Sequence, residues 1–294
     1  MDILKYLSET RQEVDQCLER LLPPPDAKPG TIHKAMRHSI FAGGKRLRPI
    51  LLLAAGESLG GSREPLLMLG SAIEMIHTYS LIHDDLPALD NDDLRRGVPT
   101  CHKVFGEAMA ILAGDALNTL CYQVMAELPG VSASIRLSII LEIAHATGTR
   151  DGMIGGQVVD LESEGKPIDP PALEFIHRSK TGALLTACTR CGAMAAGAEP
   201  PAMETLTQYG RKVGLAFQIV DDILDVTTSS EKLGKTAGKD EKVKKATYPA
   251  LYGIEASRRK ARELISASIE EIRDLGPGAE PLRGIARFIL ERGA

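Results

Sequence analysis

Residues 63–85 read "REPLLMLGSAIEMIHTYSLIHDD", a long apolar run that stops on two adjacent aspartates. Leu66, Leu69, Ile73 and Ile76 recur at spacings of three and four, the period of a helix buried along one face. The spacing predicts a helix over 64–83, with Asp84 and Asp85 at its end. Pro87 then disturbs the helix before Asp90 is reached.

The same period runs through most of the chain. It recurs in "DILKYLSETRQEVDQCLERLL" (2–22), "EAMAILAGDALNTLCYQVMAEL" (107–128), "SASIRLSIILEIAHATG" (132–148), "METLTQYGRKVGLAFQIVDDIL" (203–224) and "ASRRKARELISASIEEIRDL" (256–275). Strand-like alternation is rare. Proline and glycine mark the breaks, as in "LPPPDAKPG", "LPGVS", "EGKPIDPP" and "LGPGAEP", and they are spread evenly. With no low-complexity linker between halves, residues 1–294 read as one all-α domain of about ten or more helices. Small residues crowd more than one face of the helices around Ala108–Ala116 and Ala183–Ala196. That pattern suits central helices that wall a cavity or touch a second subunit.

Composition excludes several classes. Apolar residues make up 44% and charged residues 25% of the 294, aromatics only 4%, and tryptophan is absent, so an aromatic-rich binding platform is excluded. The net charge is −4 with basic residues scattered, which leaves no basic face for a nucleic acid. The N-terminus carries acids every few residues, and no run reads as a bilayer span, so a cytoplasmic protein without membrane insertion is expected. Five cysteines suit reduced thiols, and Cys188 and Cys191 of "CTRC" read as packed core thiols.

Two acidic clusters carry the chemistry. In "HDDLPALDNDDLRRG" (83–97) five aspartates occupy ten positions, and in "FQIVDDILDV" (217–226) Asp221 and Asp225 lie one helical turn apart, with Asp222 about 100° round. Facing carboxylates among apolar neighbours repel and drift toward protonation unless a cation lies between them. Hard oxygen donors without a histidine–cysteine set point to Mg²⁺, which takes one or two carboxylates and completes its shell with water and phosphate. An acidic solvated helix end is the plain alternative; a calcium loop fails because the required glycine is missing. Basic residues accompany both clusters: Lys45 and Arg48 in "GGKRLRP", Arg95 and Arg96, Lys180 in "HRSKTG", and Lys235 and Lys245 in "LGKTAGKDEKVKKATYP". Together they describe a site for more than one polyphosphate.

On these motifs, with "GGQVVDLESEG" and "TYPALYG", the chain resembles the short-chain trans-isoprenyl diphosphate synthases over almost its full length, most closely their bacterial farnesyl diphosphate-forming branch. The resemblance implies a helical bundle around a deep central cavity, built as a homodimer. It implies that Asp84, Asp85, Asp90, Asp221, Asp222 and Asp225 hold about three Mg²⁺ ions against an allylic diphosphate, with Arg95, Lys180, Lys235 and Lys245 as further contacts. Lys45, Arg48, His77 and Arg96 match the isopentenyl diphosphate site. Thr181 and Gln218 match residues whose dipoles face the reacting carbon, and Gln157 and Asp160 match a supporting pair. With Lys180 and Arg95, Thr181 and Gln218 are the candidate catalytic groups; no side chain is an obvious base.

Two features bear on the details. The family's shorter pattern has two residues between its aspartate pair and third aspartate, where this chain has "LPAL", which makes Pro87 the device that folds Asp90 back. Tyr79, five residues before Asp84, is expected roughly 7 to 8 Å deeper along the helix, with the small Ser80 beside it. In the family that the chain resembles, an aromatic there goes with a C15 product, which implies farnesyl diphosphate; geranylgeranyl diphosphate is the alternative. A class I terpene cyclase is disfavoured by "DDILD", and a non-catalytic homologue by the retention of both motifs.

Overall fold

The computed structural model describes residues 1–227 and 247–292. Helices α1 (Ile3–Leu21), α2 (Gly30–Ile40), α3 (Leu47–Ser58) and α4 (Arg63–Asp84) come first. A small hairpin, β1 (Leu94–Arg95) and β2 (Val98–Pro99), leads into α5 (Cys101–Phe105), α6 (Glu107–Ala126), α7 (Ala133–Thr147), α8 (Met153–Ser163) and α9 (Pro170–Ile176). A π-helical turn, His177–Gly182, joins α9 to α10 (Ala183–Ala195). The longest helix, α11 (Pro200–Thr227), has 28 residues. The last three are α12 (Tyr248–Tyr252), α13 (Ile254–Glu271) and α14 (Glu280–Glu291).

Each break foreseen from proline and glycine falls between two helices. Side chains close several starts: Asp2 caps α1, Ser132 caps α7, Asp169 caps α9 ahead of a proline, and Thr247 caps α12. Each supplies an oxygen to a backbone N–H that the first turn leaves without a partner.

Helix α3 packs between α4 and α10, α10 between α3 and α11, and α6 and α7 close the ring from α4 back to α10. Ile50, Leu51, Leu52 and Leu53 are fully buried, so α3 is apolar all round as a central helix must be. The small-residue helix α10 is central too, with Ala187, Cys188, Cys191 and Ala193 inside. Burial pushes the Cys188 thiol up to about 12 and Cys191 well above its ordinary value, so both are inert packing groups. The other small-residue helix, α6, behaves differently. Ala110, Ala113 and Leu117 are buried, while Ile111 and Leu112 of the same helix are 44% and 50% exposed.

One expectation needs correcting. Helix α4 is long and apolar enough to cross a membrane by length and composition, although no such run was expected. About two thirds of that stretch is buried inside the bundle, because α4 packs against α3 and α6 and spends its apolar surface on the core.

Candidate functional site

The C-terminal ends of α4 and α11 bring the two aspartate clusters to one cavity of about 590 Å³. Asp84 and Asp90 line it from one side, Asp221, Asp222 and Asp225 from the other, and Arg95, Asp160, Lys180, Thr181 and Gln218 complete the polar wall. The "LPAL" insertion is a tight winding. Leu89 N–H donates to Leu86 O, and Asp90 N–H reaches back to Asp84 O at 2.8 Å, which sets the third aspartate above the first. Pro87, which has no N–H to satisfy, sits at the exposed outside of that winding.

The aspartates are not equivalent. Asp84 is pushed up to about 6, by burial first and also by Asp90 and Asp85, against the pull of Lys180 and Arg95. Asp85 is buried and takes a forked ion pair from Arg95, with Nε and Nη2 at 2.5 to 2.9 Å. Asp222 is also buried: it accepts Tyr248 N–H at 2.8 Å and Gln218 Nε2 at 3.3 Å, and His177 Nε2 lies at 3.1 Å. Asp221 meets Arg292 at 3.2 Å. So Asp84, Asp90, Asp221, Asp222 and Asp225 line the cavity, Asp222 with its carboxylate already held by Tyr248, Gln218 and His177, while Asp85 lies behind them in its pair with Arg95. Asp92 and Asp93 brace the hairpin, through Arg95 at 3.9 Å and Lys103 at 2.7 Å.

The donor set fits magnesium. Every candidate ligand is a hard carboxylate oxygen, and Asp84 shows the mutual repulsion that a cation removes. Among the described residues no three acidic, histidine or cysteine side chains converge on one ion-sized site. Each ion would therefore take one or two carboxylates and leave room for water and phosphate, as magnesium prefers.

The π-helical turn presents His177, Lys180 and Thr181 to the cavity; such wide turns often occur where function needs a side chain re-aimed. Lys180 Nζ is held by Asp160 at 2.7 Å. Gln157, on α8, has its Oε1 buried without a partner among the described residues. Lys235 and Lys245 lie outside the described residues.

A second cavity, of about 580 Å³, adjoins the first and shares Asp221 with it. Lys45, Arg48, His77 and Arg96 all line it, as does Arg292. The hairpin assigns its two arginines to different cavities. Its two-residue loop is Arg96–Gly97, both with positive φ (55° and 78°), the type I′ geometry that matches strand twist. Arg95, on the strand, faces the first cavity, and Arg96, on the turn, faces the second. Arg48 Nε is buried without a partner among the described residues. Burial, with opposing help from Glu74, lowers Arg48 and Arg96, and partial desolvation with nearby Arg292 lowers Lys45. Cations held together at such cost make a strong anion site.

His77 is pushed well below its ordinary value of 6.5, by burial first and then by Arg48, Arg96, Arg95 and Arg46. It is neutral at pH 7. As pH falls below about 6.5 the unfolded chain takes up a proton that the folded chain refuses, so stability falls by up to about 1.4 kcal/mol per pH unit. Asp84 acts in the opposite sense between about 6 and its ordinary 3.8. The contrast between His77→Gln and wild type isolates the histidine. In urea unfolding at pH 7.5, 6.0 and 5.0 the variant is expected to lose less stability than wild type; parallel losses would contradict a neutral His77.

Tyr79 and Ser80 do not line the first cavity, which meets α4 at Leu81 and Asp84. Tyr79 is half-buried, edge-on to His83 with ring centroids 5.8 Å apart, and burial and the Tyr122 phenol push it up to about 12. Ser80 Oγ donates to His77 O at 2.9 Å.

The candidate residues named from the motifs left out Arg292, His177 and the buried ion pair of Arg46 with Glu74, 2.9 Å apart at the edge of the second cavity. Arg292 also stacks 5.2 Å over Phe217, and its place depends on a contact across 71 residues of chain. His177 stood in the quoted "HRSKTG", and Glu74 is an acid in the apolar run of α4, so both left a signal.

Known proteins match this arrangement. The polyprenyl synthetase family model matches residues 29–275. Dimethylallyltranstransferase of Fischerella ambigua is 50% identical over 98% of this chain and 83% of its own length. Geranylgeranyl diphosphate synthase of Cyanophora paradoxa is 46% identical over 99% of this chain and 97% of its own. Farnesyl diphosphate synthase of Escherichia coli is also 46% identical, over 99% of each chain. Among solved structures, an FPP/GFPP synthase of Zymomonas mobilis superposes with TM-score 0.89 at 38% identity, covering 98% of this chain and 99% of that one. A geranyltransferase of Helicobacter pylori, complexed with magnesium and isoprenyl diphosphate, gives 0.82 at 33% identity, covering 97% and 96%. With identity and fold agreeing from end to end, the chain belongs to the polyprenyl synthetase family, as a prenyltransferase of the short-chain isoprenyl diphosphate synthases.

Proposed function

We propose that the protein joins isopentenyl diphosphate head-to-tail to dimethylallyl and then geranyl diphosphate, giving (2E,6E)-farnesyl diphosphate. The observation that carries this reading is the pair of adjoining cavities, one walled by aspartates and one by cations, with Asp221 between them. The aspartate-walled cavity takes the allylic diphosphate. Asp84, Asp85, Asp90, Asp221, Asp222 and Asp225 would hold the magnesium ions, about three by resemblance, which neutralise the departing diphosphate when bound. Lys180, fixed by Asp160, and Arg95 bind the same diphosphate, and Lys235 and Lys245 are proposed to join them. The Thr181 hydroxyl and the Gln218 amide, on the same wall, turn their dipoles to the carbon that gains positive charge. Lys45, Arg48, Arg96 and neutral His77 hold isopentenyl diphosphate, so its double bond meets that carbon in fixed alignment. Gln157 supports the wall from α8. The departing diphosphate is the natural acceptor for the proton lost last.

Product length rests on Tyr79. A chain growing past Leu81 along α4 meets the Tyr79 ring beside Tyr122, where Ser80 offers less bulk than a second ring. The relatives include both farnesyl and geranylgeranyl synthases at 46% identity, so geranylgeranyl diphosphate is the second reading. Incubation with isopentenyl diphosphate, Mg²⁺ and either dimethylallyl or geranyl diphosphate, with products sized by mass spectrometry, tests both. A C15 product is expected; a mainly C20 product would favour the second reading, and no condensation would defeat both.

We propose a homodimer, supported by the surface of α5 to α7. Val104, Ile111, Leu112, Leu137 and Leu141 are 44% to 58% exposed there, more apolar surface than a lone chain usually leaves wet. Light scattering should give twice the chain mass for wild type and a single mass for Leu112→Glu/Leu137→Glu; a monomeric wild type would contradict the interface. Support for a cytoplasmic location is the five cysteines, all free and buried.

A further inference from the structure

Between Lys45 and Arg48, two of the cations in the second cavity, lies Arg46, which borders the same cavity with Glu74 but spends its guanidinium on protein partners. Arg46 is 3% exposed and gives each guanidinium nitrogen a separate partner. Nε donates to Asp15 Oδ1 at 2.8 Å, Nη1 to Glu74 Oε1 at 2.9 Å, and Nη2 to the Ile40 carbonyl at 2.6 Å. Those partners belong to α1, α4 and the end of α2. Glu74 stands one helical turn before His77 on α4, so the contact fixes the loop to the helix that carries the neutral histidine of the same site. From the other side Arg96 donates to the Gly43 carbonyl. A Cβ at Gly44, whose φ is +131°, would run into the Arg96 guanidinium. The segment 41–46 is therefore gripped from both sides.

Arg46 also has a left-handed backbone, φ 51°, at the residue that opens α3. A side chain with a Cβ holds that conformation only where its surroundings over-determine it. Here the turn swings the chain so that Lys45 before it and Arg48 after it both reach the cavity. The charge balance agrees. Asp15 and Glu74 offset the charge of Arg46, so it adds little to the field in the cavity, which comes from Lys45, Arg48 and Arg96, with His77 neutral.

We infer that Arg46 is a positioning residue for the second diphosphate site, setting Lys45 and Arg48 at their spacing from His77 through its three anchors on Asp15, Glu74 and Ile40. This rests on the reading that the second cavity takes isopentenyl diphosphate. A lysine cannot replace it, because one ammonium nitrogen cannot meet three partners fixed in the plane of a guanidinium.

The test is a steady-state comparison of wild type, Arg46→Lys and Asp15→Asn, varying each substrate in turn and recording thermal melts. Asp15 lies on α1 with its side chain 31% exposed, so Asp15→Asn is expected to fold, and it reaches the cavity through Arg46 at 2.8 Å and more loosely through Arg11 at 3.7 Å; Arg11→Ala, measured alongside, reads that second route. Arg46→Lys is expected to raise the KM for isopentenyl diphosphate about tenfold or more, and Asp15→Asn about threefold, with the KM for geranyl diphosphate within about twofold of wild type. Should Arg46→Lys fail to fold, Asp15→Asn decides alone. An unchanged isopentenyl KM in folded Asp15→Asn, or an equal rise in both KM values, would overturn the assignment. Absence of condensation in wild type would instead defeat the functional reading itself.

Discussion

Asp84→Ala and Asp221→Ala, made separately, are each expected to slow turnover by about a thousandfold or more, equivalent to about 4 kcal/mol of lost transition-state stabilisation. The two residues stand on opposite walls of one cavity, at the ends of different helices, so neither can take over the other's role. Their charge is needed most when the allylic carbon–oxygen bond breaks and negative charge builds on the diphosphate, which places the loss in kcat as well as in kcat/KM. Folding can be separated from this effect. Because Asp84 is pushed up to about 6, its ionised form costs the folded protein stability above that pH, and its removal should hold or slightly raise the melting temperature at pH 7.5. An inactive protein with an undiminished melt would confirm a functional rather than a structural aspartate. Rates within about tenfold of wild type would refute the metal-binding role.

Tyr79→Ala is the second large effect, on product identity rather than rate. The half-buried ring packs edge-on to His83 on the side of α4 that faces Tyr122 of α6. Removing it opens space along α4 beyond Leu81, where the first cavity now stops. Each further condensation adds five carbons, so a pocket deeper by one aromatic ring should admit at least one more unit. Mass spectrometry should show the main product moving from C15 to C20 or longer. A C15 spectrum unchanged by the substitution would place the floor of the pocket elsewhere.

Much of this was legible in the residues themselves. The three-and-four spacing marks helices because helix packing demands it, and the proline and glycine breaks fall where the helices end. The aspartate clusters stood out because facing carboxylates amid apolar neighbours need a reason. What the sequence hid is which partner each charge takes. Asp84 and Asp85 are adjacent and look alike, yet one faces the cavity and the other takes a forked pair from Arg95. Arg46 sat inside a quoted motif between two cations and looked like a third. Its separate duty appears only once α1 and α4 bring Asp15 and Glu74 to it. Arg292 depends on the return of α14 to the mouth of the site, a contact no local pattern encodes. The long apolar α4 imitated a membrane span because a central helix in a bundle and a helix in lipid face the same demand to be apolar on most sides.

The most direct measurement is the release of diphosphate from geranyl diphosphate and Mg²⁺, with and without isopentenyl diphosphate. Two adjoining sites that act together predict one diphosphate released for each carbon–carbon bond formed, with rapid release only when both substrates are present. Equally rapid release from geranyl diphosphate alone, with no C15 product when isopentenyl diphosphate is added, would contradict the two-site account.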